Sequence, residues 1–488
     1  MLDWLPDFLD GLFNMLSDSN REIRQAADSA IGGFLIEIKR SSVVEFGPMV
    51  GILVNQCHNK ERFNRLTAIS WVKDFIKLGG DRLLLFYSEL LGSVMHCISD
   101  SDFEIRQVAE STNVELLELV RSTNNTFELA PLLQTLTSEL SSHHIPTRMA
   151  SLRWINMLLR KVATEMNKFI SDLLPALLRT LSDDADEVVL TNLEVLARIS
   201  MLSEREFKRV LVAIVRLFGK DRRLLELRGS LIIRHLCVLL DAQSIYMSLA
   251  TILKGSDCCV EESVLDHPSS LLDHPSGTRV AIPKAGSSGE CQFRAIMVQT
   301  LSLILLTARE LDELRSMLRS SLDGHASEEA ARVFITLFEA WSHNPVATLG
   351  LCLIAQAYRL ASALVILFAD VDVSVGFLMQ IDKLVQLLES PIFIHLRLQL
   401  LEVQASYHPY LMKSLYGVLM LLPQSAAFST LSSRLATVST LHVHVTQSTR
   451  ASQDEEVPAE HECLLATFKH VQLSHAQARH LSYLTPET

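Results

Sequence analysis

No stretch of this sequence stays apolar for the ~18 to 20 residues that a membrane-spanning helix needs. The strongest runs stop early: "LSLILLTA" ends at Arg309, "VILFA" at Asp370 and "YGVLMLL" at Pro423. The opening "MLDWLPDFLD" carries acids where a secretory signal would carry bases, so no targeting segment is expected. Cysteines are few and ill-spaced for chemistry. The eight, at 57, 97, 237, 258, 259, 291, 352 and 463, include no CxxC pair, and reduced, mostly buried thiols in the cytosol are the expectation. Motifs for common chemistries are missing too: GxGxxG after a strand, GxxxxGK[ST], HExxH and GxSxG are all absent. No catalytic residue, cofactor site or metal site is expected. His267 and His274 sit in a duplicated "LDHPS", which reads as repeat expansion, and His461, His470, His475 and His480 do not converge as ligands.

Basic residues are outnumbered, 44 against 56, for a net charge of −12. That excess of acid argues against a nucleic-acid ligand and, less strongly, against direct capture by an anionic membrane. The basic run "KDRRLLELRGSLIIRH", Lys220 to His235, is the strongest positive patch and reads as a repeat element. What the chain has in quantity is apolar residue: 48% hydrophobic against 20% charged, with mean hydropathy +0.24. With no membrane span to absorb it, this excess implies helices packed on helices.

The chain repeats itself. "LSDSNREIRQAA" at Leu16 returns as "ISDSDFEIRQVA" at Ile98, 82 residues on, and again as "LSDDADEVVL" at Leu181. Intermediate copies, "CHNKERFNRLTA" from Cys57, "LSSHHIPTRMA" from Leu140 and "FGKDRRLLELRG" near Phe218, halve the step to roughly 41 residues. One basic position marks the register: Arg24, Arg65, Arg106, Arg148 and Arg228, with Leu190 in the fifth place. Each unit reads as two helices about a polar turn, and six units fit between Leu5 and about Asp241. In the first, Ile23, Ala27, Ala30, Ile31, Phe34 and Ile38 share one face, and Asp18 or Ser19 is placed to cap the second helix. The arginine lies next to the turn acid and reaches the acid of its own or the neighbouring unit. Such hairpins bury their apolar faces only by stacking. The predicted class is all-α, a HEAT/armadillo-type α-solenoid followed by a helical C-terminal block.

The expected organisation is a solenoid over 1–253, a flexible linker over 254–290 rich in Ser, Gly, Pro and Asp, a helical block over 291–437, and a mostly disordered tail over 438–488 with a short helix from His461 to Leu481. In the block, one long helix is expected from Cys291 to about Ser320 and several dense ones from Glu328 to about Ala436.

Four segments are distinctive: "MLDWLPDFLDGLF" at the start, "WSHNPVATLGLCLIAQAY" from Trp341, "IDKLVQLLESPIFIHLRLQLLE" from Ile381 and "HPYLMKSLYGVLMLLPQSAAF" from His408. Together they resemble the Vac-fourteen family, the HEAT-repeat scaffold of the PIKfyve lipid kinase complex, from residue 1 to about 436. The resemblance implies a non-catalytic scaffold at endosomal, lysosomal or vacuolar membranes. Such a scaffold holds a phosphatidylinositol 3-phosphate 5-kinase of the PIKfyve type together with a Sac-type phosphoinositide 5-phosphatase, and so controls phosphatidylinositol 3,5-bisphosphate. It implies homo-oligomerisation and phosphatase binding through the C-terminal block, with His343, Asn344, Pro345, Pro391, Arg397, Tyr410, Lys413, Tyr416 and Pro423 at the matching positions. Family members carry a longer repeat array before the opening element.

The competing reading is an armadillo-type transport adaptor that takes basic peptides in an acidic groove. Its mark is a Trp followed four residues later by Asn. Trp71 and Trp154 stand six residues after register arginines, but Phe75 and Leu158 fill the i+4 places. An enzyme, the third reading, has no constellation to support it.

Overall fold

The computed structural model describes residues 4–41, 44–125, 127–255, 288–321, 327–445 and 459–484. The linker sequence from 256 to 287, with Cys258, Cys259, His267 and His274, lies outside the described residues, as does most of the polar stretch after 446. Among the described residues every regular element is a helix, and they form two compact units, Met1–Val210 and Leu211–Thr488.

The first unit is the hairpin array: α1 (Leu5–Met15) with α2 (Arg21–Arg40), α3 (Gly47–Cys57) with α4 (Arg62–Gly79), α5 (Tyr87–Ile98) with α6 (Phe103–Ser122), and α7 (Leu129–Glu139) with α8 (Ile145–Lys161). After a short α9 (Ala163–Met166) comes the fifth pair, α10 (Ile170–Thr180) and α11 (Asp186–Ser200). A sixth hairpin, α12 (Glu204–Lys220) and α13 (Arg222–Leu239), follows, and the division between units falls inside α12. The apolar periodicity of α2 is largely as expected, with Ala27, Ile31 and Ile38 buried, but Ile23 is 39% exposed. The cap stands one or two residues later than expected. Asn20 accepts the Glu22 amide, while Asp18 folds the turn by accepting the Asn20 amide.

The register arginines explain the turn. Arg24, Arg65 and Arg106 each send Nη1 back to two carbonyls of the turn between the two helices of the hairpin: Asp18 and Ser19, Asn59 and Lys60, Asp100 and Ser101. Arg148 does the same to Ser142. These oxygens belong to the turn itself, where no helix ladder supplies a donor, so the guanidinium holds the turn closed. The arginines of the second and fourth units also reach forward. Arg65 Nε lies 2.6 Å from Asp100 and Arg148 Nε 2.7 Å from Asp183, both pairs largely buried. Burial pushes the Asp100 carboxyl up, yet the Arg65 guanidinium and the Asp102 amide together hold it below the usual range. The corresponding places in the second and fourth turns are Asn59 and Ser142, which cannot neutralise an arginine. A carboxylate on alternate turns is the physical content of the 82-residue repeat.

A second polar ladder joins the second helices of successive hairpins. Lys39 meets Asp74, Lys77 meets Glu115, Trp154 Nε1 donates to Asn113 at 2.7 Å and Arg198 donates to Asn156 at 2.7 Å. Trp71 and Trp154 are interior, 2% and 0% exposed, so neither lines a peptide groove.

The second unit continues from α13 through α14 (Ala242–Leu253) to α15 (Ser288–Thr307), α16 (Asp312–Arg319), α17 (Glu328–Trp341), α18 (Pro345–Ile354), α19 (Tyr358–Leu367), α20 (Val375–Leu388), α21 (Ile394–Gln399), α22 (His408–Leu421), α23 (Ala426–Val445) and α24 (Ala459–Leu484). The single long helix expected from Cys291 to Ser320 is two, bent by 88° after Thr307. Arg315, 2% exposed, fills the bend by donating to the Leu305 and Ala308 carbonyls at the break. No single described helix is long and apolar enough to cross a membrane. The basic run at 220–235 is partly consumed internally: Arg222 donates to the Gly289 carbonyl at 2.7 Å and Arg234 pairs with Glu310 at 2.6 Å.

Candidate partner-binding site

"SHNPVA" is first of all a helix start. Asn344, 5% exposed, adopts extended backbone and accepts the Ala347 amide at 3.1 Å, while Pro345 takes the first helical position, where no amide proton is needed. The Asn344 amide donates to Gln380 of α20 at 2.9 Å, tying the start of α18 to the second turn of α20. His343 Nδ1 lies 2.8 Å from Nε2 of His475 on α24. Burial, then His475 and Arg294, lower His343 to about 3; burial, then Arg479 and Arg294, lower His475 to about 4. Both rings are neutral at pH 7, so one nitrogen donates and the other accepts.

Pro391 opens a short 3-10 turn, Pro391–Phe393, ahead of α21, with Phe393 and Leu396 buried beneath. Arg397 donates to the Leu388 carbonyl at 3.0 Å, and Glu389 receives Arg434 at 2.8 Å, which locks the end of α20. On α22, Leu411, Leu415 and Val418 are buried, Tyr410 and Tyr416 are half-buried and Lys413 is exposed. The Arg359 guanidinium lies 5.1 Å from the Tyr410 ring centroid. "LYGVLMLLPQS" is thus a helix buried on one side, with Met420 83% exposed on the other.

Pro423 ends that helix and sits in a groove of about 860 Å3 between α15, α18 and α20. Leu303, Leu306, Val346, Met379 and Leu387 line it, with Asp382, Lys383 and Gln386 among its polar groups. Val375 is 75% and Met379 67% exposed there, a large apolar surface to leave in water. Sequence reasoning missed these side chains. The signal was present in "VDVSVGFLMQ", whose Val375 and Met379 stand at i, i+4 on a face that has no neighbour in the helix pattern. The nine expected residues therefore occupy four places: the start of α18, the α20–α21 corner (Pro391 in the turn, Arg397 on α21), the outer side of α22 and the end of the groove. Among the described residues no three metal-type side chains converge.

The architecture is that of an all-α, HEAT-type hairpin-repeat protein whose second unit carries an open, largely apolar groove. Residues 222–438 match the family model described as "Vacuolar protein 14 C-terminal Fig4p binding". The chain is 45% identical over 441 residues to the "Protein VAC14 homolog" of Arabidopsis thaliana, covering 90% of this chain and 54% of that protein. It is 32% identical over 495 residues to the "Protein VAC14 homolog" of Schizosaccharomyces pombe, covering 96% and 55%, and 29% identical over 411 residues to "Vacuole morphology and inheritance protein 14" of Saccharomyces cerevisiae, covering 83% and 42%. The chain belongs to the Vac14 family and spans about half the length of these relatives.

Proposed function

We propose that this chain is a non-catalytic scaffold that holds a Sac-type phosphoinositide phosphatase through the second unit. The observation that carries the reading is the coincidence of the matched stretch, 222–438, with the groove, every lining residue of which lies inside it. Such a groove suits an apolar partner surface rather than a small polar substrate. In this reading the block 291–437 also self-associates, the array 1–253 engages a phosphatidylinositol 3-phosphate 5-kinase, the linker 254–290 joins them, and the tail 438–488 follows. Association with endosomal, lysosomal or vacuolar membranes runs through the partners, and the product controlled is phosphatidylinositol 3,5-bisphosphate. Pro391, Lys413 and Pro423, all exposed, are proposed as direct contacts, and His343, Asn344, Pro345, Arg397, Tyr410 and Tyr416 as the residues that shape them. The burial of Trp71 and Trp154 gives the adaptor reading nothing to stand on.

The test is co-purification of the full chain from cells, read by mass spectrometry, beside Met379→Glu. Met379 is exposed, so the charge leaves the core intact. Recovery of a Sac-type phosphatase with the wild type and its loss with the variant supports the reading. Recovery of neither enzyme, or of basic-peptide cargo instead, removes it.

A further inference from the structure

Helix α24 lies outside the matched stretch 222–438, yet it packs against three helices within it, α15, α17 and α19. Its contacts follow one stripe. Phe468 is 1% exposed and its ring stands 6.5 Å from that of Phe368, just after α19. One turn on, Gln472 Nε2 donates to the Ser342 carbonyl at 2.7 Å, an oxygen that the end of α17 leaves open. One turn further, His475 meets His343, and Arg479 reaches Asp372 at 3.1 Å. Beneath the same helix lies a small cavity of about 160 Å3, lined by Ala295, His343, Pro345 and Phe377 together with Gln472 and His475. The "HNP" element, one of the distinctive segments of the chain, is thus covered by the chain itself.

The cover is thin. Among the described side chains of α24 only Leu464, Phe468 and Ala478 are buried, whereas the shorter α20 buries Phe377, Ile381, Leu384, Val385 and Leu388. A helix with so few buried apolar groups belongs to the part of a structure that opens first.

We propose that α24 is an intramolecular strap seated on a helix-receiving face of α15, α17 and α19, where it competes with an amphipathic helix of the partner protein. The partner helix this face fits presents an aromatic anchor at i, an amide donor at i+4 and a neutral imidazole or equivalent polar group at i+7, as Phe468, Gln472 and His475 do. The proposal rests on the scaffold reading for the identity of the partner, a Sac-type phosphatase. A strap docked for 90 to 99% of the time weakens apparent partner affinity by about 10- to 100-fold.

The experiment uses the full chain, Phe468→Glu and His475→Ala, with two readouts. Amide exchange over residues 461–480 reports whether the strap is seated, and the Kd for a purified Sac-type phosphatase reports competition. Undocking is expected to raise exchange at least tenfold and to tighten phosphatase binding about tenfold or more, and a synthetic 459–484 peptide added in trans is expected to weaken it again. Raised exchange with unchanged or weaker binding overturns the strap while leaving the scaffold reading intact. Unraised exchange in both variants overturns it as well. A phosphatase that binds neither wild type nor variants removes the scaffold reading and the competition with it.

Discussion

Gly417→Ala sets two effects of opposite sign against each other in the middle of α22. Intrinsic propensity favours the alanine by about 1 kcal/mol, because glycine gives up more backbone freedom in a helix. Packing opposes it. A Cβ on residue 417 would overlap Cγ1 of Val365 on α19 and approach its Cβ to 3.4 Å. Val365 is 8% exposed and β-branched, so its side chain has one favourable rotamer in a helix and no room to leave it. The two helices must therefore separate. Over-packing of this kind costs about 1 to 3 kcal/mol, so a net loss of about 1 kcal/mol is expected. Because the chain has two units, a single global unfolding free energy is the wrong measure. Native-state amide exchange over α19 and α22 reads the local opening directly. Gly417→Ala is expected to exchange roughly five- to tenfold faster there, and Val365→Ala in the same background to recover part of the loss, with a coupling of about 1 kcal/mol. Slower exchange in Gly417→Ala would mean that propensity outweighs packing and that the helices are not in close contact at this point.

Three further outcomes follow from the same structure. The imidazoles of His343 and His475 have lowered pKa values in the folded chain, so their contribution is fully present above about pH 6.5 and fades as pH falls toward 4 and then 3. Arg294 and Arg479 face the pair and add repulsion to any proton taken up, while Asp372 and Glu290 are engaged with those arginines. By pH 5 the docking of α24 should have lost about 2 kcal/mol for each ring; equal protection of α24 from exchange at pH 5 and pH 7.5 would refute this. Asp100→Ala strands a largely buried Arg65 and should cost about 3 kcal/mol, whereas Asp18→Ala, the same position of the repeat with only the Asn20 amide and the Ser19 hydroxyl to lose, should cost about 1. Similar shifts in the melting of the first unit would remove the alternating ladder from the account. Among the described thiols, Cys463 is exposed and should alkylate first, while Cys237, pushed up to about 12 by burial, and the fully buried Cys352 should resist until the chain unfolds; peptide-resolved labelling that modifies Cys352 early would show that this core opens.

Helix identity, hairpin length and turn position were legible in the sequence because each rests on neighbours in the chain. The apolar period of 3.6, the polar turn and the arginine that folds back on carbonyls five or six residues earlier all act within one hairpin. The distinctive segments "SHNPVA" and "LYGVLMLLPQS" were legible as important, but their physical reasons were not. Only the packed structure decides that Asn344 ties α18 to α20, that Gly417 is small because Val365 is there, and that Val375 and Met379 are left facing water. The same holds for Arg65 and Arg148, whose carboxylates stand 35 residues further on, and for His343, whose partner stands 132 further on. Such contacts depend on how helices stack, and stacking sums many weak apolar contacts that no local pattern specifies. The sequence by itself determined an all-helical repeat chain of the Vac14 kind. Which of its side chains are held, which are hidden under α24 and which remain free to meet a partner was decided by tertiary packing, because exposure is a property of the neighbours a residue acquires and not of the residue.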